Sequence, residues 1–256
     1  MHIVHPQNIG GNGRIVIDKG RNEIFFLRIL HYNDTCKVNQ LFSGVVENRF
    51  RYGRDIVYYE ASDFLETADS DTLKQIARTR ELTREYYFSD YEDTEKRAAI
   101  LHELFGGMGE NVAIDTPFYC DYGKNIFLGN DVIINMNCTF VDNKTIRIGD
   151  RVLIASNVQI YTSSHPVLPQ ERLVPDWRER QTTFFRTYAR PIEIENNVWI
   201  GGGCILLPGV TIGENSVIGA GSVINRPIPP NCVAVGNPCR VIRYFDTDRE
   251  RRLHEI

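Results

Sequence analysis

The hydrophobic positions of this chain recur at an interval of six over its C-terminal part. One aliphatic series comprises Ile194, Ile200, Leu206, Ile212, Ile218 and Ile224. A second series of small or β-branched residues follows four positions later, at Val198, Cys204, Val210, Ser216 and Ser222. A helix has a period of about 3.6 and an alternating strand a period of about 2, so neither produces this pattern. A parallel β-helix of hexapeptide repeats does.

The same period appears earlier, with two small phase slips that each fit one enlarged turn. It predicts inward positions at Ile114, Cys120, Ile126, Leu128, Ile134, Phe140, Ile148, Ile154 and Ile160. We therefore predict a mainly β protein with a parallel β-helix over residues 108–245, whose stacked coils share one core. The glycines of the cleanest stretch are expected where the coil turns or needs positive φ. They are Gly201, Gly209, Gly213, Gly219 and Gly221.

Residues 63–107 are predicted to form a helical segment ahead of the coil. One helix is expected from Asp69 to Glu85, with Leu73, Ile76, Ala77 and Leu82 on one side. A second is expected from an N-cap at Asp93 or Thr94 to Phe105, because Gly106-Gly107 is a C-terminal signal.

Residues 1–62 and 246–256 fall outside these patterns. The first range has strand-like stretches at Arg14–Asp18 and Glu23–Leu30 and a glycine-rich turn at residues 10–13, and no function can be assigned to it. The second is a short charged tail.

The composition indicates a soluble cytoplasmic protein. The chain has 256 residues, is 42% hydrophobic and carries a formal charge of −4, which argues against nucleic acid as its main partner. No signal segment or membrane-length apolar run is expected. The six cysteines show no metal-ligand spacing, and Cys120, Cys138 and Cys204 occupy inward positions. We expect buried free thiols and no metal site.

The repeat is interrupted once, by an excursion over residues 162–190 that contains His165. Long loops inside compact domains are usually functional or disordered. A lone histidine is more often structural than catalytic, but this one lies where a solid coil gives way to an excursion. Imidazole is the commonest general base near neutral pH. His165 is therefore the candidate catalytic residue.

Motifs along residues 64–245 resemble the hexapeptide-repeat acetyltransferases of the maltose and galactoside O-acetyltransferase group, which is related to the nodulation acetyltransferases. The matching stretches are Cys120-Asp121-Tyr122-Gly123, Asn125 to Gly129, Asn135-Met136-Asn137, Ile148-Gly149-Asp150, Ser164-His165-Pro166, Asn197 to Gly202, Pro208 to Gly213, Val217 to Ser222 and Gly236 to Ile242. The resemblance implies a left-handed coil, a homotrimer with active sites between subunits, and acetyl transfer from acetyl-CoA to a sugar hydroxyl.

The resemblance also implies roles for individual residues. His165 matches the family's general base, Asn135 an active-site asparagine beside it, and the N–H of Gly202 the oxyanion donor. Ala220, Asn225, Arg226, Arg240 and Arg243 match the coenzyme side, where cations suit phosphates. Asp121 and Asp142 fall on acceptor-pocket positions, although each is equally compatible with a turn of the coil.

Two features depart from the family pattern. The excursion after His165 is longer than usual, and Trp177, Phe184 and Phe185 within it suit either an acceptor ring or a subunit contact. Residues 1–62 are additional. Both differences concern the acceptor and leave the donor side intact.

Three other functions share part of this sequence pattern. A γ-class carbonic anhydrase shares the coil but needs three histidines on zinc, and only His165 lies in the repeat region. A xenobiotic acetyltransferase acting on a streptogramin-like antibiotic shares coil, histidine and donor, but the helices at 69–105 favour the sugar group. A non-enzymatic scaffold would not need His165, Asn135 and the arginines.

Overall fold

The computed structural model describes residues 63–65 and 69–245 together with four strands nearer the N-terminus, and the chain forms two compact units, residues 1–61 and 62–256. In the first unit, β1 (Arg14–Lys19) pairs antiparallel with β2 (Glu23–Arg28), and β3 (Asn48–Tyr52) pairs antiparallel with β4 (Asp55–Tyr59). The two predicted strands are thus confirmed. The predicted turn at residues 10–13, Cys36 and the tail at 246–256 lie outside the described residues.

Two helices precede the coil in the second unit. Helix α1 (Ser70–Phe88) is capped by the side chain of Asp69, and helix α2 (Thr94–Leu104) by the side chain of Asp93. Each aspartate accepts from N–H groups that have no partner inside the helix. Both predicted helices are confirmed, and α1 runs three residues past its predicted end at Glu85. Among the described helices, none has the length and apolar character needed to cross a bilayer.

Residues 107–245 form a three-sided parallel β-helix whose faces we number in chain order. The first face contains β6 (Gly107–Met108), β9 (Ile126–Leu128), β12 (Ile146–Ile148), β17 (Ile192–Ile194) and β20 (Thr211–Ile212). The second contains β7 (Ala113–Ile114), β10 (Ile133–Ile134), β13 (Leu153–Ile154), β18 (Trp199–Ile200), β21 (Val217–Ile218), β23 (Cys232–Val235) and the antiparallel β24 (Arg240–Tyr244). The third contains β8 (Phe118–Cys120), β11 (Cys138–Val141), β14 (Gln159–Tyr161), β19 (Ile205–Leu206) and β22 (Val223–Ile224). The prediction of a mainly β, parallel β-helical fold is confirmed.

The core of the coil is a stack of aliphatic side chains in register. Ile134 pairs with Ile154 on the next coil, Ile154 with Ile200, and Ile200 with Ile218, and all four are fully buried. Every inward position predicted from the period of six is buried. Because burying one such side chain stabilises by about 1.5–3 kcal/mol, neighbouring coils support one another.

The predicted turn glycines serve two different purposes. Gly209 and Gly221 have φ of 81° and 72°, as a turn requires. Gly201, Gly213 and Gly219 are instead sites of close packing between coils. A Cβ on Gly213, for example, would lie 2.4 Å from the backbone nitrogen of Pro230.

At the turns between the first and second faces, residues other than glycine adopt the left-handed conformation. Asn111, Asp131, Arg151, Asn197, Asn215 and Asn231 have φ between 54° and 61°. Asparagine adopts this conformation more readily than most residues. Its side chain also bonds along the stack, as from Nδ2 of Asn197 to Oδ1 of Asn215 at 2.8 Å.

The excursion at 162–190 is an ordered element. It contains β15 (Ser163–Ser164), the short helix α3 (Pro169–Arg172) and β16 (Thr187–Ala189). Strand β16 pairs antiparallel with β15 and with β5 (Phe64–Leu65), which precedes α1. The ion pair of Asp63 with Arg190, at 2.8 Å, adds a side-chain link between these two parts of the chain.

Candidate active site

His165 lies at the edge where the third face turns into the first, called the 3–1 edge below. The excursion leaves the coil there after β14, and the His165 side chain is exposed. Nδ1 of His165 is 2.9 Å from the carbonyl oxygen of Arg186. Since a carbonyl oxygen only accepts hydrogen bonds, Nδ1 carries the proton. In the neutral ring, Nε2 then holds the lone pair that a general base needs.

An aromatic series extends from His165 along the excursion. The Phe185 ring meets the imidazole edge to face at 5.0 Å, and Phe184 contacts Phe185 at 4.8 Å. Trp177 lies 6.4 Å from Phe184, whose side chain is exposed. An apolar surface therefore begins at the candidate base.

Asp142 also lies at the 3–1 edge, but inside it. Its Oδ1 accepts from the N–H groups of Asp121 and Tyr122, both at 2.9 Å, and its own carbonyl oxygen accepts from Nδ2 of Asn125. Oδ2 is buried without a partner among the described residues. Burial raises the pKa of Asp142 to about 6, although the two N–H donors act in the opposite direction. The contacts of Asp142 are those of a residue that holds the turn after β8.

Asp121 is partly exposed and bonds to α1. Its Oδ1 lies 3.0 Å from Nη2 of Arg80. The other amino group of that guanidinium donates to the carbonyl of Cys120. This contact joins the helical segment to the same turn that Asp142 holds.

A cavity of about 340 Å³ opens between α1, β5 and this turn. Its lining residues are Leu65, Asp71, Thr72, Gln75, Tyr122, Lys124, Asn125 and Asn143. The side chain of Asn143 accepts from Ser163, two residues before His165. Neither Asp121 nor Asp142 is among the lining residues. The sequence did not identify Tyr122 and Asn143 as lining residues. The one signal that could have done so is that they directly follow Asp121 and Asp142.

Asn135, Gly202 and Ala220 lie at a different edge, where the second face turns into the third, called the 2–3 edge. Asn135 follows β10, and its Nδ2 donates to the carbonyl of Ile154 at 2.9 Å. Gly201 and Gly203 donate their N–H groups to Ile218 and Ser156 of neighbouring coils. The Gly202 N–H between them has no partner among the described residues. It is thus available to a ligand.

The two edges are separated by the width of the third face. The longest strand of this face, β11, has four residues, which at about 3.3 Å each extend over roughly 13 Å. Within one chain the fold therefore groups His165 with Asp121 and Asp142. Asn135 and Gly202 lie at the other edge, and none of the hydrogen bonds among the described residues joins either of them to the imidazole.

The remaining candidates lie toward the C-terminal end of the coil. Asn225 and Arg226 follow β22 at the 3–1 edge, and Oδ1 of Asn225 is buried without a partner within the described part of the chain. Arg240 and Arg243 belong to β24, whose side chains are mostly exposed. The Arg243 guanidinium packs 5.6 Å from the centre of the Phe245 ring.

This coil, with a histidine-bearing excursion, has the form of a hexapeptide-repeat transferase. The family model described as "Bacterial transferase hexapeptide (six repeats)" matches residues 191–226. Galactoside O-acetyltransferase of Escherichia coli K12 is 44% identical over 177 residues, which cover 69% of this chain and 82% of that protein.

Solved structures show the same likeness. A maltose O-acetyltransferase from Clostridium difficile 630 has a TM-score of 0.65 at 43% identity, covering 72% of this chain and 92% of that one. A galactoside acetyltransferase in complex with coenzyme A has a TM-score of 0.66 at 41% identity, covering 73% and 88%. The chain belongs to the hexapeptide-repeat acetyltransferase family and is an acetyl-CoA-dependent acyltransferase.

Proposed function

We propose that this enzyme moves the acetyl group of acetyl-CoA to a hydroxyl of a sugar or glycoside, with His165 as general base. The observation that carries the proposal is the imidazole geometry: the Arg186 carbonyl holds the Nδ1 proton and leaves Nε2 to accept one. The names of the relatives, which act on galactosides and maltose, support a sugar acceptor.

The reaction is a direct transfer. Nε2 takes the proton of the acceptor hydroxyl as its oxygen attacks the thioester carbonyl. The tetrahedral intermediate then breaks the carbon–sulfur bond, and the imidazolium returns the proton to the departing thiolate. General base catalysis contributes about 10²–10⁴-fold. The uncommitted N–H of Gly202 is the proposed donor to the oxyanion, because a fixed amide needs little reorganisation as charge develops.

The polar cavity beside the 3–1 edge is the proposed acceptor site. It adjoins His165 through Asn143 and Ser163, and amides and hydroxyls suit the hydroxyl groups of a sugar. Asp142 and Asp121 are proposed to act by holding the wall of this cavity in place. Asn225, Arg226, Arg240, Arg243 and Ala220 are proposed to bind the coenzyme.

A homotrimer would complete the site. His165 and Gly202 lie at different edges of one chain, so a single transfer requires the 3–1 edge of one copy beside the 2–3 edge of another. The second face offers a contact surface, since Ile133, Leu153 and Trp199 are stacked in register and are 44%, 46% and 53% exposed. An apolar stripe of this kind is typical of an interaction surface. The free thiols of the described cysteines support a reducing compartment such as the cytoplasm.

The test is a comparison of His165→Ala with Ser164→Ala, measured by thiol release from acetyl-CoA. The acceptor panel contains maltose, glucose, a thiogalactoside, an amino sugar and a streptogramin. His165→Ala should lose about 100-fold or more in kcat at unchanged oligomer mass, and Ser164→Ala should stay close to wild type. An intact assembly of His165→Ala that keeps more than about a tenth of the wild-type rate would end the general-base proposal. If the streptogramin is the one compound of the panel that is acetylated, the proposed sugar acceptor is wrong and the enzyme is a xenobiotic acetyltransferase.

A further inference from the structure

The excursion folds back on itself and so forms a support for the segment that carries His165. The N–H of Val174 donates to the carbonyl of Phe184 at 3.0 Å, and that of Arg186 donates to the carbonyl of Arg172 at 2.7 Å. Leu173 and Phe185 form an isolated antiparallel bridge between these bonds. The side chain of Val174 is buried. The returning half of the excursion is thereby fixed to α3.

One side chain of α3 reaches the residues that directly follow the imidazole. Nη1 of Arg172 donates to the carbonyl oxygens of Pro166, at 3.1 Å, and Val167, at 3.0 Å. A guanidinium group is always charged, and its planar geometry fixes the direction of its donors. Hydrogen bonds from a charged donor are about twice as strong as neutral ones.

These hydrogen bonds form a closed ring of which the imidazole is one member. His165 donates from Nδ1 to the Arg186 carbonyl, Arg186 donates its N–H to the Arg172 carbonyl, and the Arg172 guanidinium donates to the Pro166 carbonyl. Two covalently adjacent residues, His165 and Pro166, are thus both held by the Arg172–Arg186 pair. The orientation of the imidazole and the placement of its Nδ1 proton depend on the same ring.

We propose that Arg172 is a positioning residue for the base, acting through His165 and not on the substrate. The inference rests on the proposed function, because it assigns Arg172 to the catalytic role of His165. Loss of the guanidinium removes the donors to both carbonyls and lets the segment after the imidazole shift. Displacement of a catalytic group by about 1 Å can cost about 100-fold in rate.

The experiment compares Arg172→Gln and Arg172→Met, which lack the charged donor, with Arg172→Lys, which retains a cation. Arg180→Gln is the matched control, because Arg180 lies on the same excursion but bonds to Asp176. The two uncharged variants, Arg172→Gln and Arg172→Met, should lose about 10- to 100-fold in kcat, while KM for acetyl-CoA and acceptor stays within about threefold. Arg172→Lys should recover part of the rate, and Arg180→Gln should match wild type.

The ¹⁵N spectrum of the His165 ring gives an independent readout. Wild type should show Nδ1 protonated in the neutral ring, and the two uncharged variants should show a mixture of the two tautomers. The inference is overturned if a folded Arg172→Gln or Arg172→Met turns over within threefold of wild type, or if KM alone rises. It is also overturned if neither uncharged variant folds, because Arg172 would then serve the fold itself. A fully active Arg172→Gln beside an inactive His165→Ala refutes this inference alone, whereas an active His165→Ala refutes the proposed function.

Discussion

Replacing Asp142 by asparagine should change how the stability of this protein depends on pH. Burial raises the pKa of the Asp142 carboxyl from 3.8 to about 6, so the folded state holds its proton more tightly than the unfolded state. The stability that this group contributes is complete below pH 3.8 and is lost as the pH rises through about 6. At higher pH the fold holds a buried carboxylate whose Oδ2 has no partner in the described residues.

The size of the effect follows from the shift. About two pKa units at 1.36 kcal/mol per unit amount to about 3 kcal/mol, most of which is lost between about pH 4 and pH 8. Asparagine has nearly the same shape, and its oxygen can still accept from the N–H groups of Asp121 and Tyr122. It does not titrate. The unfolding free energy of Asp142→Asn minus that of wild type should therefore increase by about 2–3 kcal/mol from pH 4 to pH 8.

Urea unfolding followed by circular dichroism at five pH values and one fixed chain concentration measures this difference. The other carboxyl groups are common to both proteins, so their titration cancels when the two are subtracted. Asp131→Asn, at an exposed position, controls for the loss of one aspartate side chain. A difference between Asp142→Asn and wild type that is independent of pH, or that falls as the pH rises, would refute the assignment of a raised pKa to Asp142.

Two further predictions concern assembly and the coenzyme. Trp199→Glu places a charge in the apolar stripe of the second face. Sedimentation of this variant should then give the mass of a single 29.4 kDa chain, whereas wild type should give the mass of three chains. A wild-type protein that already sediments as a single chain would refute the homotrimer. At least one of Arg226, Arg240 and Arg243 should contact the 3′-phosphate of the coenzyme. Its replacement by glutamine should raise KM for acetyl-CoA about tenfold or more without affecting the dephospho thioester. Equal losses with both donors would refute that contact.

The coil could be predicted because the same pattern of buried side chains recurs in every repeat. Each side of the prism buries one side chain per six residues, and Ile154 and Ile200 at successive coils face the same core. The excursion has no such period, so its internal order was not predictable. The pairing of Phe64 with Tyr188 joins residues far apart in sequence and leaves no local signal.

The position of Asp142 was predictable in part. Cys138 and Phe140 are fully buried, and side chains along a strand alternate, so the next inward position is 142. An aspartate at a predicted turn suggests exposure, and the alternation of β11 argues for burial. Asp142 is buried, as the alternation indicates, and its carboxylate accepts from the N–H groups of Asp121 and Tyr122 inside the turn.

The separation of His165 from Asn135 follows from counting along the coil. Ile133 pairs with Leu153, so one coil takes twenty residues in this part of the chain. Asp121 and Asp142 are about one coil apart and share an edge, whereas Asn135 precedes the edge at which the excursion to His165 begins by one coil and one further face. This difference in edge supports the proposal that a catalytic set drawn from both positions needs a second copy of the chain, and the difference can be read from the sequence once the coil length is known. If both residues serve one reaction, dissociation of the assembly should abolish transfer even though every residue of the site remains folded.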